Sequence, residues 1–172
     1  MGRIVVNLQD MIRVDVHVPK WDYLVHCFFA VTEYWIEEIM ESLFFLQIDG
    51  SNAKRAYDNL TSGQLDTGLC FANAREREAV IVVAKASCAS EFINSVSHEN
   101  HHLASYVAKQ FDLDPTGEEV AYFAGELMKE QFPYIKHLMC DCCRKKMYND
   151  RTHGEDHGCG VNSRGRVTAY YE

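Results

Sequence analysis

Between Arg13 and Val18 polar and apolar side chains alternate, Arg13-Val14-Asp15-Val16-His17-Val18, the period-two pattern of a half-buried strand that Pro19 then ends. A shorter stretch rich in β-branched residues, Ile4 to Leu8, precedes it. Residues 23–48 hold Phe28, Phe29, Tyr34, Trp35, Ile36, Ile39, Met40, Leu43 and Phe44. Spacings of three and four predict a helix over roughly 32–47, with Glu33, Glu37, Glu38 and Glu41 on its solvated face. Asp49-Gly50 stops that helix, and Ser51 is placed to N-cap a short one running to about Leu60.

Thr61-Ser62-Gly63 reads as a loop. Leu69 to Ala72 and Ala79 to Ala84 read as two strands joined around Asn73-Ala74-Arg75-Glu76. Ala79-Val80-Ile81-Val82-Val83-Ala84 is apolar throughout, so it is buried on both faces or lies along a covered groove. A long helix follows from Ser87 or Ser90 to about Asp112, carried by Phe92, Ile93, Val96, His98, Leu103, Tyr106, Val107 and Phe111. Asp114-Pro115-Thr116-Gly117 breaks it. Thr116 and Glu119 form an S/T-x-x-E capping box, opening a helix through Val120, Phe123, Leu127 and Met128 that kinks or restarts at Pro133. The expected fold is α+β: a small antiparallel or mixed sheet packed on helices, the last two helices forming an antiparallel pair.

Composition changes this picture in one respect. The 172 residues, 47% hydrophobic and 24% charged, suit one soluble domain with a sizeable core. No run of 18 apolar residues predicts a membrane span, and Met1 to Asp10 lacks a signal-peptide layout, so a cytoplasmic location without secretion is expected. Net charge is −8, which argues against nucleic acid as a partner. Residues 144–172 nevertheless carry six Lys/Arg against four Asp/Glu, and four of the ten glycines. They read as a basic, Gly-rich C-terminal extension to a domain at 1–143.

The chemistry is concentrated in His98-Glu99-Asn100-His101-His102, an H-E-x-x-H within the predicted long helix. Positions i and i+4 share a helix face, so His98 and His102 can hold one zinc ion while Glu99 takes a proton from the water it activates. The His and Glu content would yield about 0.03 such motifs by chance. Val96, Leu103 and Tyr106 flank the motif, so its histidine face is expected to be buried, where unpartnered imidazoles would be costly. His101 is expected either to support the ligands from behind or to lie at the surface, and Asn100 to face solvent.

Together with Glu118-Glu119-Val120-Ala121-Tyr122, sixteen residues on, this motif resembles small gluzincin-type zinc metallopeptidase-like proteins found in phages and prophages. The similarity covers roughly residues 65–135. It implies that a glutamate of the following helix is the third zinc ligand. Glu118 is the expected one, because Glu119 already has a use in the capping box; Glu119 and Glu126 come next. Tyr122, one turn beyond Glu118, is either an oxyanion donor or a core aromatic. The strand 79–84 is either a core strand or the edge that holds an extended peptide. The function so implied is a zinc-dependent metallopeptidase acting on a peptide or protein substrate. The alternative is a virion or assembly protein keeping that scaffold with little catalysis, its tail docking on a virion partner or a second copy. Host cytoplasm or virion would then be its location.

A second cluster, Cys140, Cys142, Cys143, His153, His157 and Cys159, can build a structural zinc site that ties down the tail, although its spacing matches no common finger. Cys27, Cys70 and Cys88 read as buried thiols.

Overall fold

A computed structural model describes residues 5–6, 11–32, 35–62 and 68–140. The 143/144 boundary, the extension, and Cys142, Cys143, His153, His157 and Cys159 lie outside the described residues. The elements are β1 (Val5–Val6), β2 (Ile12–Val18), a 3-10 turn (Pro19–Trp21), β3 (Tyr23–Val31), α1 (Ile36–Phe45) and α2 (Gly50–Thr61), then β4 (Leu69–Asn73), β5 (Glu78–Ala84), α3 (Ala89–Gln110) and α4 (Glu118–Ile135). The fold is α+β, as expected. No helix among the described residues is long and apolar enough to cross a membrane.

The strands form one mixed sheet in the order β1-β2-β3-β5-β4, with only the β3–β5 pair parallel. Alternation assigns Val14, Val16, Val25, Cys27, Ile81 and Val83 to one face, which packs on α3 and α4 through Phe92, Val96, Leu103, Phe123 and Leu127. Phe28, Val80 and Val82 lie on the other, beneath Ile39 and Leu43 of α1 and Ala56 and Leu60 of α2. Helices therefore cover both faces, which is why β5 is apolar from Ala79 to Ala84. The same burial hides β3 from a periodicity reading: only His26 interrupts it with a charge-bearing side chain. His26 is half-buried and is held by Asp15 at 2.8 Å and Glu78 at 3.5 Å.

Local signals correct two details. Asp49, rather than Ser51, caps α2, its carboxylate accepting from the Ser51 and Asn52 amides. The capping box at Thr116 does not form: α4 starts after Gly117, and Thr116 donates its amide and hydroxyl hydrogens to Asp114. A carboxylate two residues back simply outcompetes Glu119. Pro133 does not restart α4, which runs on to Ile135; the proline sits on the exposed side, where water can satisfy the carbonyl it frees.

Asn100 was expected at the surface but is buried. Its amide donates to Gln131 Oε1 at 2.8 Å and accepts from Gln131 Nε2 at 3.0 Å. Gln131, fully buried, also donates to Cys27 Sγ at 3.5 Å. These contacts lie ten residues before the end of α3 and thirteen into α4, so the chain doubles back. Asn100→Ala leaves Gln131 without its partner and should lower unfolding free energy by about 2–3 kcal/mol in urea titrations. Asn100→Leu combined with Gln131→Met should cost less than the sum of the two single changes, since no buried amide is left unpaired.

Candidate functional site

The phase of α3 decides which side chains face the β4 edge of the sheet. Its buried stripe runs through Phe92, Val96, Glu99, Asn100, Leu103, Ala104, Val107 and Ala108. His98 and His102 lie just outside that stripe and are exposed, contrary to the expectation of a buried histidine face. They share one wall of an open groove with Asn94, Ser95, Glu99 and Tyr106. Edge strand β4 and Gly68 form the floor, and Asn52, Arg55 and Asn59 of α2 form the opposite wall. The cavity measures about 610 Å³. The edge available to an extended ligand is thus that of β4, because β5 is paired on both sides.

The two imidazoles converge. Their Nε2 atoms are 3.0 Å apart, and the rings meet edge to face with centroids 4.5 Å apart. One ring must donate to a bare nitrogen on the other for that contact to be a hydrogen bond. Two nitrogens bound tetrahedrally to one zinc would be about 3.3 Å apart, so a small rotation converts this pair into a chelate. Partial desolvation against the groove wall, with His98 and His101 nearby, lowers the His102 pKa from its ordinary value and favours the neutral form a metal needs. His101 is exposed, one of its two expected places.

Glu99 points between α3 and β4 and is only 3% exposed. Burial pushes its carboxyl up from 4.5 to about 7. A β-carbon added at Gly68 would stand 2.4 Å from Glu99 Oε1 and 2.5 Å from its Cγ, so only glycine lets the chain pass this close. Burial also pushes the Cys70 thiol far above its usual range, with Glu99 contributing. Cys27 is buried, whereas Cys70 and Cys88 are only partly so.

The remaining expected site residues are elsewhere. Glu118 is exposed at the first turn of α4, and among the described residues no three metal-binding side chains come together. The cause is rotational: Asn100, which faces α4, stands about 200° around α3 from His98. Glu119 pairs with Lys20. Tyr122 is 63% exposed and lines a separate depression with Lys20, Glu126 and Lys129, because Val120, Phe123 and Leu127 take the inward face. The hydroxyl-bearing ring in the groove is Tyr106, expected only as a flanking core residue. Its place two turns after His98 on the same stripe was the signal for it. Gly68 and Arg55 had no sequence signal, since both reach the site only through the pairing of β4 and the packing of α2.

The chain matches no protein-family profile, no curated protein sequence and no solved structure.

Two outcomes follow from the burial of Glu99. Its carboxyl is raised in the folded state, so its contribution to stability is intact below about pH 4.5 and lost as pH rises through about 7. Glu99→Gln should therefore match the native protein in denaturant midpoint at pH 4.5 and exceed it at pH 8, by on the order of 2 kcal/mol. Gly68→Ala must displace Glu99, and any activity that depends on this carboxylate should fall by up to about 10²-fold. Overpacking of this kind costs about 1–3 kcal/mol, which thermal melts would register.

Proposed function

We propose that the chain is a metal-dependent peptidase in which His98 and His102 hold zinc and Glu99 is the general base. The observation that carries this reading is the convergence of the two imidazoles beside a buried carboxylate, on the wall of a groove that runs along a strand edge no described strand pairs with. The donors fit two positions of a tetrahedral zinc shell. Glu118 is not retained as a third donor, because it does not reach them. Zinc, when bound, would supply a Lewis acid for activating water and polarising a carbonyl.

The chain's own residues supply the rest. The outer edge of β4 offers backbone donors and acceptors that no described strand uses, so an extended peptide can add there as a further strand. Glu99, with its carboxyl raised to about 7, is suited to accept a proton near neutrality and return it to the departing amine. Gly68 allows the peptide backbone and this carboxylate to approach on the same side. Tyr106, 45% exposed, can donate its hydroxyl hydrogen into the groove.

A different observation favours the scaffold reading. Phe44, Tyr57, Ile36 and Met40 line a shallow apolar depression on α1 and α2, and neighbouring Phe45 is 76% exposed. Contiguous exposed apolar surface marks a contact with another protein.

Enzyme assays separate the two. Glu99→Gln should lower cleavage of unstructured peptides by on the order of 10² or more while zinc content stays near the native value. His98→Ala should lose the zinc and the thermal stabilisation that added zinc gives the native protein. Native and Glu99→Gln proteins that are equally inactive on every peptide would favour the scaffold.

A further inference from the structure

The wall opposite the histidines carries information about what the groove accepts. In a chain of net charge −8, Arg55 is the only fixed positive charge among the described residues lining the groove, and Glu99 is the only acid. Arg55 forms a stripe with Asn52 and Asn59 at helical spacings of three and four, Arg55 and Asn59 exposed and Asn52 half-buried. The two acidic groups of α2 and its cap are engaged. Asp58 is held by Lys54 at 2.6 Å, and Asp49 caps α2 while accepting from the side-chain amide of Asn52 at 2.6 Å. Arg55 itself makes no hydrogen bond or ion pair with any described residue.

A guanidinium lining a groove, with the acid one turn on already paired, is a two-pronged donor for a carboxylate. Lone cationic character also sets a limit. One guanidinium flanked by neutral amides suits a single carboxylate, and the overall negative charge disfavours a polyanion.

We propose that the groove selects a ligand bearing a carboxylate, which Arg55 grips on the α2 wall while the ligand's backbone lies along β4 beside His98 and His102. That the ligand is a peptide rests on the peptidase reading; that it carries a carboxylate does not. The carboxylate is either an acidic side chain or a chain terminus, since both present the same two oxygens.

Three fluorescent peptides of one sequence distinguish these: an internal Glu with an amidated end, a Gln in its place with a free carboxyl end, and Gln with an amidated end. Their affinities for zinc-supplemented Glu99→Gln protein, read by anisotropy, do not depend on turnover. At least one carboxylate peptide should bind about tenfold more tightly than the neutral one, the usual effect of a charge-assisted pair. Which of the two gains identifies the source. In a second protein that also carries Arg55→Gln the ratio should fall to about one. Arg55→Lys, which keeps the charge without the fork, should retain only part of it. A ratio near one with Arg55 present, or a ratio that survives Arg55→Gln, overturns the proposal. Selective binding by a protein whose native form cleaves none of the three would sustain the carboxylate site and remove the peptidase reading.

Discussion

The reciprocal amide pair of Asn100 and Gln131 is the constraint on which the site depends. The core between α3, α4 and the sheet is, apart from the Cys27 thiol, otherwise built from aliphatic and aromatic side chains, which tolerate rotation and sliding at modest cost. Two complementary hydrogen bonds in that setting do not, because any other helix phase buries an amide without partners. Turning α3 by one residue, about 100°, would break both bonds and carry Glu99 away from β4. Trp21 and Tyr23 packing edge-on against Phe123, at 5.3 and 6.1 Å, fix α4 against the sheet in turn.

With α3 so fixed, the site forms where the layers end. A sheet covered by helices on both faces is exposed only at its edges, and β4 is such an edge, lying between α2 and α3. Each layer contributes its own groups to the groove: imidazoles and a carboxylate from α3, a backbone edge that no described strand uses from β4, and amide and guanidinium groups from α2. The fold thus brings together residues separated by some forty positions in sequence. Glu99 marks the junction, half part of the core and half part of the groove, and its raised carboxyl reflects that position.

Much of this was legible in the sequence, and the failures have physical causes. The strands β2, β4 and β5, the helices α1 to α4 and the pairing of His98 with His102 all follow from local periodicity. β3 escaped because burial on both faces removes the alternation by which strands are read. Asn100 was misplaced because polarity alone says nothing about a complementary amide thirty-one residues away. Glu118 and Tyr122 were drawn in by a resemblance and by helix spacing, yet their position depends on which face of α4 meets the sheet. Val120, Phe123 and Leu127 settle that, and they turn both residues outward. Arg55 and Gly68 are long-range features of α2 packing and strand pairing, and no local pattern announces either.

The metal assignment stands at the centre of this account, and X-ray absorption at the zinc edge tests it most directly. Protein loaded with one equivalent of zinc should show a shell of nitrogen and oxygen at about 2.0–2.1 Å, with the outer scattering of two imidazoles. The same spectrum should be lost when His98 and His102 are both replaced by alanine. A shell dominated by sulfur at about 2.3 Å, or a spectrum unchanged by the double replacement, would contradict the assignment and move the metal to the cysteines.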